Sequence, residues 1–160
     1  MAKLKLAIIV GSNRRESINR KLAQALAKLG EGAFDVSFVQ IDDLPMFNQD
    51  LESNRPESTL RLKREIEAAD AILIVTPEHN RSIPAVLKNA IDWASRPYGK
   101  NSWAGKTVAV TGTSGGAVGT AVSQNELRMI LTQLAGAVAG GQVCVPFKDD
   151  LSDDRHNIAS

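Results

Sequence analysis

Residues 71–95 read AILIVTPEHNRSIPAVLKNAIDWAS, and this stretch decides the fold. Its first five residues, Ala71–Val75, form an uninterrupted apolar run, which is typical of a central strand buried on both faces of a parallel sheet. The polar segment that follows ends at Pro84, a residue that suits the first turn of a helix. From there to Ser95 the apolar residues recur with helical spacing. A buried strand, a polar loop and a helix in direct succession predict one unit of a β-α repeat.

The same unit of a strand followed by a helix recurs along the chain. The predicted strands are Lys5–Val10, Phe34–Ile41, Ala71–Val75, Thr107–Thr111 and Gln142–Pro146, and the predicted helices follow the loops 11–17, 42–55, 76–83 and 112–119. Strands that alternate with helices form a parallel sheet through right-handed crossovers, with helices packed on both faces. The pattern therefore predicts an α/β fold with a five-stranded, doubly wound parallel sheet.

Composition narrows the class of protein further. The chain has 160 residues, 43% hydrophobic and 23% charged, which is typical of a single globular domain, here residues 1–160. A net charge of +1 lacks the strongly basic footprint of a nucleic-acid-binding protein. The lone Cys144 excludes an intrachain disulfide, and the apolar run Leu6–Val10 is too short for a signal peptide or a membrane span. We therefore expect a cytoplasmic protein that binds neither nucleic acid nor membrane.

The loop after the first strand has the composition of a phosphate site. It reads GSNRRESIN over residues 11–19, and it leads into a helix that Ser17 is placed to cap. Backbone N–H groups and the helix dipole favour an anion there, and the hydroxyl and guanidinium side chains add donors. Neither a P-loop nor a Gly-x-Gly-x-x-Gly dinucleotide motif is present in this loop. The loop predicts phosphate binding, and ordinary helix capping beside solvated arginines is the alternative.

Two further loops are expected at the same edge of the sheet. Residues 76–84 form a polar loop stiffened by two prolines, and residues 112–119 contain four glycines, which let a backbone approach a ligand closely. Ligands of such sheets bind outside the carboxyl ends of the strands, so a mononucleotide with a flat ring system fits the three loops together. His79 has no second histidine or acidic cluster beside it in the sequence, so we expect no metal site.

Two motifs resemble one known family. They are Gly11-Ser12-x-Arg14-x-x-Ser17-x-Asn19 and, over residues 77–96, PEHNxSxPxxLKNAIDWxSR. Together they closely resemble the NADPH-dependent FMN reductase family, a flavodoxin-like group that includes bacterial chromate, quinone and azo-dye reductases. The resemblance extends from the first strand to about Pro146. It implies a flavodoxin-like three-layer fold with strand order 2-1-3-4-5 that binds FMN non-covalently.

The resemblance also implies which residues bind the cofactor. The family's phosphate site is matched by Ser12, Arg14, Ser17 and Asn19. Its isoalloxazine wall, formed mainly by backbone amides, is matched by Pro77, Glu78, His79 and Asn80, and the opposite side of the ring by Ser114, Gly115 and Gly116. Ser82 matches a position that contacts either the flavin or a neighbouring subunit. His79 stands where the family usually has tyrosine, so the contacts of that tyrosine are not carried over. No catalytic side chain is implied, because FMN carries the chemistry.

The activity implied is that of an FMN-dependent NAD(P)H oxidoreductase. NADPH or NADH would reduce FMN, and a small acceptor such as a quinone, a free flavin, chromate or an azo compound would then take two electrons at the same site, in ping-pong order. The alternative is a non-catalytic electron carrier or regulatory flavoprotein that binds FMN. Steady-state oxidation of NADPH in the presence of a quinone separates an enzyme from such a module.

Assembly and the C-terminus give two further expectations. The resemblance implies a homodimer or homotetramer, and Trp93, at the end of the apolar helix Pro84–Ser95, is a candidate anchor for the contact between subunits. The alternative is a helix that is broadly buried within a monomer. After Pro146 the chain is polar and shows no helical face, so we expect the last helix of this fold to be absent after residue 147. Either the chain is trimmed there, or another subunit or residues 42–55 cover the vacant face, or part of that face is exposed.

Overall fold

The strands pair in the order that the resemblance implies. The computed structural model describes residues 2–150, 153 and 155–157, and its strands are β1 (Leu4–Val10), β2 (Phe34–Val39), β3 (Ala71–Val75), β4 (Thr107–Ser114), β5 (Ala137–Val138) and β6 (Val143–Pro146). The path through the sheet is β2-β1-β3-β4-β5, β6 also pairs with β4, and all these pairings are parallel. This order confirms the predicted flavodoxin-like fold.

Helices connect the strands close to where the sequence predicts them. Those of the described chain are α1 (Ile18–Gly30), a short 3-10 helix (Gln49–Ser53), α2 (Glu57–Ala68), α3 (Ala85–Ser95) and α4 (Ala121–Gln133). Ser17 caps α1 as predicted, because its side chain accepts a hydrogen bond from the backbone N–H of Arg20. Pro84 lies at the N-cap of α3, immediately before the first helical residue.

Alternating side chains of the strands form a hydrophobic core on each face of the sheet. Ile9, Ile72 and Ile74 pack in the core that contains the apolar side chains of α2, α3 and α4. Ile8 and Val10 point to the other face and pack against α1. The period of two along β1 therefore places helices on both faces, as predicted, with three α-helices on one face and α1 on the other.

The edge beside β4 differs from the single strand predicted over residues 142–146. β5 pairs with Thr107 and Val108 at the start of β4, and β6 pairs with residues 111–114 at its end. Gly140, with a φ of +67°, lies between them, in a conformation that favours glycine and interrupts an extended strand. Periodicity does not detect β5, because two residues are too few to show an alternation.

Trp93 does not anchor a contact between subunits in the way that the sequence suggested. Its side chain is fully buried within the chain, and its indole N–H donates a hydrogen bond to the carbonyl of Pro45 at 2.7 Å. The ring of Phe47 meets it edge-on at 5.0 Å, and the guanidinium of Arg55 lies over it at 5.2 Å. Burial lowers the pKa of Arg55 below its usual value, against the opposing effect of Glu52. Residues 45–55 therefore cover the apolar surface of α3 that does not face the sheet.

The face that carries α1 retains an apolar groove. It has a volume of about 450 Å³ and runs between α1 and the β4–β6 edge, with Leu26, Leu73 and Val145 among its walls. Residues 45–55 lie against α3 on the opposite face, so the alternative that residues 42–55 cover the groove is wrong. The described residues after Pro146 contain no helix, and the carbonyl of Arg155 accepts a hydrogen bond from Lys28 at the end of α1.

Candidate functional site

The carboxyl ends of β1, β3 and β4 meet closely enough that glycine is required at the junction. The backbone N–H of Gly11 donates to the carbonyl of Val75 at 2.8 Å, and that of Thr76 donates to Thr111 at 2.9 Å. A Cβ atom placed on Gly112 would lie 2.0 Å from the carbonyl oxygen of Thr76, far inside van der Waals contact. The close approach brings the loops that follow these strands side by side.

A cavity of about 180 Å³ lies between these loops and collects most of the predicted cofactor residues. Its walls contain, from the three loops in turn, Ser12, Arg14, Ser17, Ile18 and Asn19; Pro77, Glu78 and His79; and Thr113, Ser114 and Gly115. Asn80, Ser82 and Gly116 were predicted and are not part of these walls. Ile18 and Thr113 were not predicted, and no motif in the sequence marks them. Three loops that are distant in sequence thus enclose one site.

The end of the cavity at α1 offers unused hydrogen-bond donors. The hydroxyl oxygen of Ser17 accepts from the backbone N–H of Arg20, and that of Ser12 accepts from the backbone N–H of Arg14, which leaves each hydroxyl proton free to be donated. The first backbone N–H groups of α1, at residues 18 and 19, have no acceptor among the described residues. The exposed guanidinium of Arg14 forms no ion pair within that same part of the chain. This end of the cavity suits an anion.

Asn19 lines the cavity, but its side chain is already hydrogen-bonded within the protein. It is 1% exposed, its Nδ2 donates to the carbonyl of Thr113 at 2.9 Å, and its Oδ1 accepts from the Thr113 N–H at the same distance. This pair of bonds joins the start of α1 to the end of β4. The sequence predicts a direct ligand at this position, whereas the structure shows a side chain that fixes the distance between two walls.

The loop after β3 folds into a tight turn that holds part of its residues away from the cavity. The backbones of His79 and Ser82 exchange two hydrogen bonds of 3.0 Å each. Between them, Asn80 and Arg81 have φ angles of 51° and 63°, the left-handed pair of a type I′ turn. Asn80 is therefore at the exposed tip of the turn, and the backbone of Ser82 is used to close it.

Glu78 connects this turn to the N-terminus of α4. Its carboxylate accepts hydrogen bonds from the N–H groups of Val122 at 3.0 Å and Ser123 at 3.2 Å, and the Ser123 hydroxyl donates to the carbonyl of Pro77 at 3.0 Å. A carboxylate at a helix N-terminus is favoured by the helix dipole. The side chain of Glu78 is thus directed at α4. The sequence does not indicate this role, because the residues that Glu78 contacts are more than 40 positions away in the chain.

The glycine-rich loop is held by Ser114. The hydroxyl of Ser114 donates to the carbonyl of Gly119 at 2.7 Å and accepts from the N–H of Gly116 at 3.3 Å. Gly115 has no atom within 4 Å of the position that a Cβ would take, so this wall is open toward a ligand. The buried hydroxyl of Thr113 also lacks a hydrogen-bond partner among the described residues. The residues present therefore fit a phosphate-bearing cofactor at one end and a flat group against backbone at the other.

Neither a metal cluster nor a membrane span is found in the part of the chain that the structure describes. No group of three or more metal-ligating side chains comes together there. Likewise, none of the described helices has the length and apolar character needed to cross a membrane.

Fold and site together define a flavodoxin-like nucleotide-binding protein, and comparison with known sequences gives its family. Residues 4–150 match the family described as NADPH-dependent FMN reductase. A 2-hydroxy-1,4-benzoquinone reductase from a Burkholderia species is 53% identical over 131 residues, which cover 82% of this chain and 72% of that relative. A quinone reductase of Pseudomonas putida is 48% identical over 130 residues, covering 81% and 70%. The chain belongs to the NADPH-dependent FMN reductase family.

Solved structures agree with this membership. FerB, a flavoenzyme NAD(P)H:(acceptor) oxidoreductase from Paracoccus denitrificans, superposes with a TM-score of 0.93 at 43% identity, covering 97% of this chain and 86% of FerB. A flavodoxin variant from Pseudomonas aeruginosa, at 19% identity and a TM-score of 0.59, covers 89% and 84% and shares the fold. The chain is accordingly an NAD(P)H-dependent flavin oxidoreductase, with FMN and NAD(P)H as its cofactors.

Proposed function

We propose that this chain transfers two electrons from NADPH or NADH, through FMN, to a small quinone in ping-pong order. The observation that carries the proposal is the cavity between the three loops, which has unused anion donors at one end and backbone-lined walls at the other. When bound there, FMN supplies the redox chemistry, because its ring accepts a hydride and gives up two electrons. The protein provides position and electrostatics.

The residues of the cavity divide into three sets in this proposal. Ser12, Ser17 and the N-terminus of α1 bind the phosphate by donated hydrogen bonds, and Arg14 adds charge that compensates it. The backbone around His79 and Gly115 faces the flat ring. Asn19 and Glu78 act as positioning residues, because their side chains fix the walls relative to one another.

A quinone is the acceptor that we place first. Two relatives that cover most of this chain are named for the reduction of quinones, and the exposed residue His79 lines a cavity that a planar molecule can enter. A free flavin, chromate and an azo compound are the other acceptors to compare in the same assay.

Assembly and location belong to the same proposal. We infer a homodimer or homotetramer from the family resemblance and a cytoplasmic location from a sequence with one cysteine. Size-exclusion chromatography at micromolar concentration measures the assembly, and elution as a monomer contradicts it.

The function is tested on the purified protein saturated with FMN. We expect bound flavin in the visible spectrum, loss of that absorbance on anaerobic addition of NADPH or NADH, and its return when a benzoquinone is added. Reduction without steady-state turnover would instead indicate an electron carrier.

Arg14→Ala should weaken FMN binding about tenfold, the equivalent of about 1.4 kcal/mol. The control Lys21→Ala removes an equally exposed cation of α1 that does not line the cavity, and it should leave FMN binding unchanged.

A further inference from the structure

A second cleft adjoins the cofactor cavity and has no role in the function proposed so far. It has a volume of about 290 Å³ and lies at the carboxyl ends of β1 and β2. Ser12 lines both the cleft and the cavity, so the two spaces meet at the phosphate loop. A ligand bound in the cleft would therefore lie next to the phosphate end of the cavity.

An aromatic ring and a cation both line this cleft. Phe38 of β2 is in register with Ile8 of β1, whose side chain packs under α1, so Phe38 projects from the same face of the sheet. Phe38 is 41% exposed and is among the large exposed apolar residues of the chain. Arg20, in the first turn of α1, also lines the cleft. A flat ligand can lie on the phenyl ring with a negative group toward Arg20.

The polar side chains of the cleft are not used by the protein. Within residues 2–150, 153 and 155–157, neither the guanidinium of Arg20, nor the amide of Gln40, nor the carboxylate of Asp42 forms a hydrogen bond or an ion pair with another side chain or with the backbone. The carboxylate of the next residue, Asp43, by contrast forms an ion pair with Arg61 at 2.8 Å. Arg20, Gln40 and Asp42 are exposed, so their side chains are available to a ligand that enters the cleft.

We propose that this cleft binds an adenosine phosphate group. The adenine would stack on Phe38 with its edge toward the Gln40 amide, the ribose hydroxyls would donate to Asp42, and the phosphate would pair with Arg20. Two molecules contain an adenosine phosphate group that could reach a cleft beside the phosphate end of the cavity. They are the nicotinamide dinucleotide that reduces the enzyme, and FAD bound in place of FMN. The role of the cleft in turnover rests on the proposed function, whereas binding of an adenosine phosphate does not.

The binding itself is tested by titrating 5′-AMP into the FMN-saturated protein with isothermal calorimetry. We expect saturable binding with one site per chain, and a loss of affinity of about tenfold or more in both Arg20→Ala and Phe38→Ala. Lys21→Ala, which removes the neighbouring exposed cation outside the cleft, should bind 5′-AMP like the parent. Absence of saturable binding, or equal affinity in the parent, Arg20→Ala and Phe38→Ala, overturns the proposal. If the protein retains no FMN, the same titration on the flavin-free protein still decides it.

The source of the group is resolved by two further measurements on Arg20→Ala. If the cleft serves the dinucleotide, KM for NADPH or NADH rises about tenfold while kcat and the FMN dissociation constant stay as in the parent. If it serves FAD, the parent binds FAD more tightly than FMN, and the variant loses that difference. An Arg20→Ala enzyme in which KM and the ratio of FAD to FMN affinity are both unchanged contradicts a role of the cleft at this site.

Discussion

Residues 11–17 and residues 76–84 form neighbouring walls of one cavity, yet they use their polar groups in opposite ways. The second loop satisfies itself: the Thr76 hydroxyl donates to Pro77, His79 pairs with Ser82, and Glu78 binds the N-terminus of α4. In the first loop the described contacts are few, and Arg14 and Arg15 are exposed cations without an ion pair in the described chain. One wall is complete before a ligand arrives, and the other has donors that a ligand must satisfy.

This difference predicts how variants of the two loops should behave. A wall that is held by its own hydrogen bonds contributes to the free energy of unfolding, so its variants should lower stability first. A wall with unused donors contributes to ligand affinity, so its variants should weaken FMN binding while the ligand-free protein stays stable. Each of the following experiments measures both quantities.

The largest effect is expected where the two loops share a support, at Gly112. Gly112→Ala would place Cβ 2.0 Å from the Thr76 carbonyl oxygen, so β3 and β4 must separate and both walls must move. We expect the free energy of unfolding in urea to fall by about 3 kcal/mol, as for a severely overpacked interior site, and FMN retention to fall with it. Gly115→Ala is the matched control, because nothing lies within 4 Å of its added Cβ. Equal stability of the two variants would contradict the close approach.

An intermediate effect, on affinity alone, is expected at Ser17. Ser17→Asp retains a side-chain oxygen that caps α1, so the unfolding free energy of the ligand-free protein should stay within about 0.5 kcal/mol of the parent. The new carboxylate would face the phosphate, and we expect FMN affinity to fall about 100-fold, or about 2.7 kcal/mol. Ser17→Asn has the same shape and capping ability without the charge. If Asn and Asp weaken FMN binding equally, the site does not hold an anion at this residue.

The smallest effect, on stability alone, is expected at Glu78. Glu78→Gln keeps an acceptor oxygen near Val122 and Ser123 but removes the charge at the N-terminus of α4. This should cost about 0.5–1 kcal/mol of unfolding free energy and change FMN affinity less than about twofold. Glu57→Gln removes a first-turn carboxylate whose side chain is 75% exposed, against 13% for Glu78, and should cost less. A large loss of FMN affinity in Glu78→Gln would mean that its carboxylate serves the ligand directly.

The sequence predicted correctly those features that depend on residues close to one another in the chain. The predicted bounds of β3 are those observed, and Ser17 caps α1, because an apolar run and a capping residue act within a few positions of themselves. The prediction about Trp93 failed for the complementary reason. An apolar helix face shows only that it is buried, and the segment that buries it, residues 45–55, is distant along the chain.

The predicted cofactor residues show the same division. The motifs located the cavity, since all three loops directly follow strands of the β-α repeat, and ligands of such sheets bind beyond the carboxyl ends of the strands. They did not show which side chains are already hydrogen-bonded within the protein, as those of Asn19 and Ser114 are. Gln40 and Asp42 form no motif at all, and their cleft becomes visible only when β2 is placed beside β1.

The sequence by itself determined the β-α order, the family and the three loops that carry the site, because hydrophobic period and motif spacing are properties of neighbouring residues. Only the tertiary structure decided which polar groups remain for a ligand. That outcome depends on pairs such as Asn19 with Thr113 and Glu78 with Val122, whose hydrogen bonds exist only after the sheet brings strand ends together. A hydrogen bond acts over about 3 Å, and no sequence pattern measures that distance between residues so far apart in the chain.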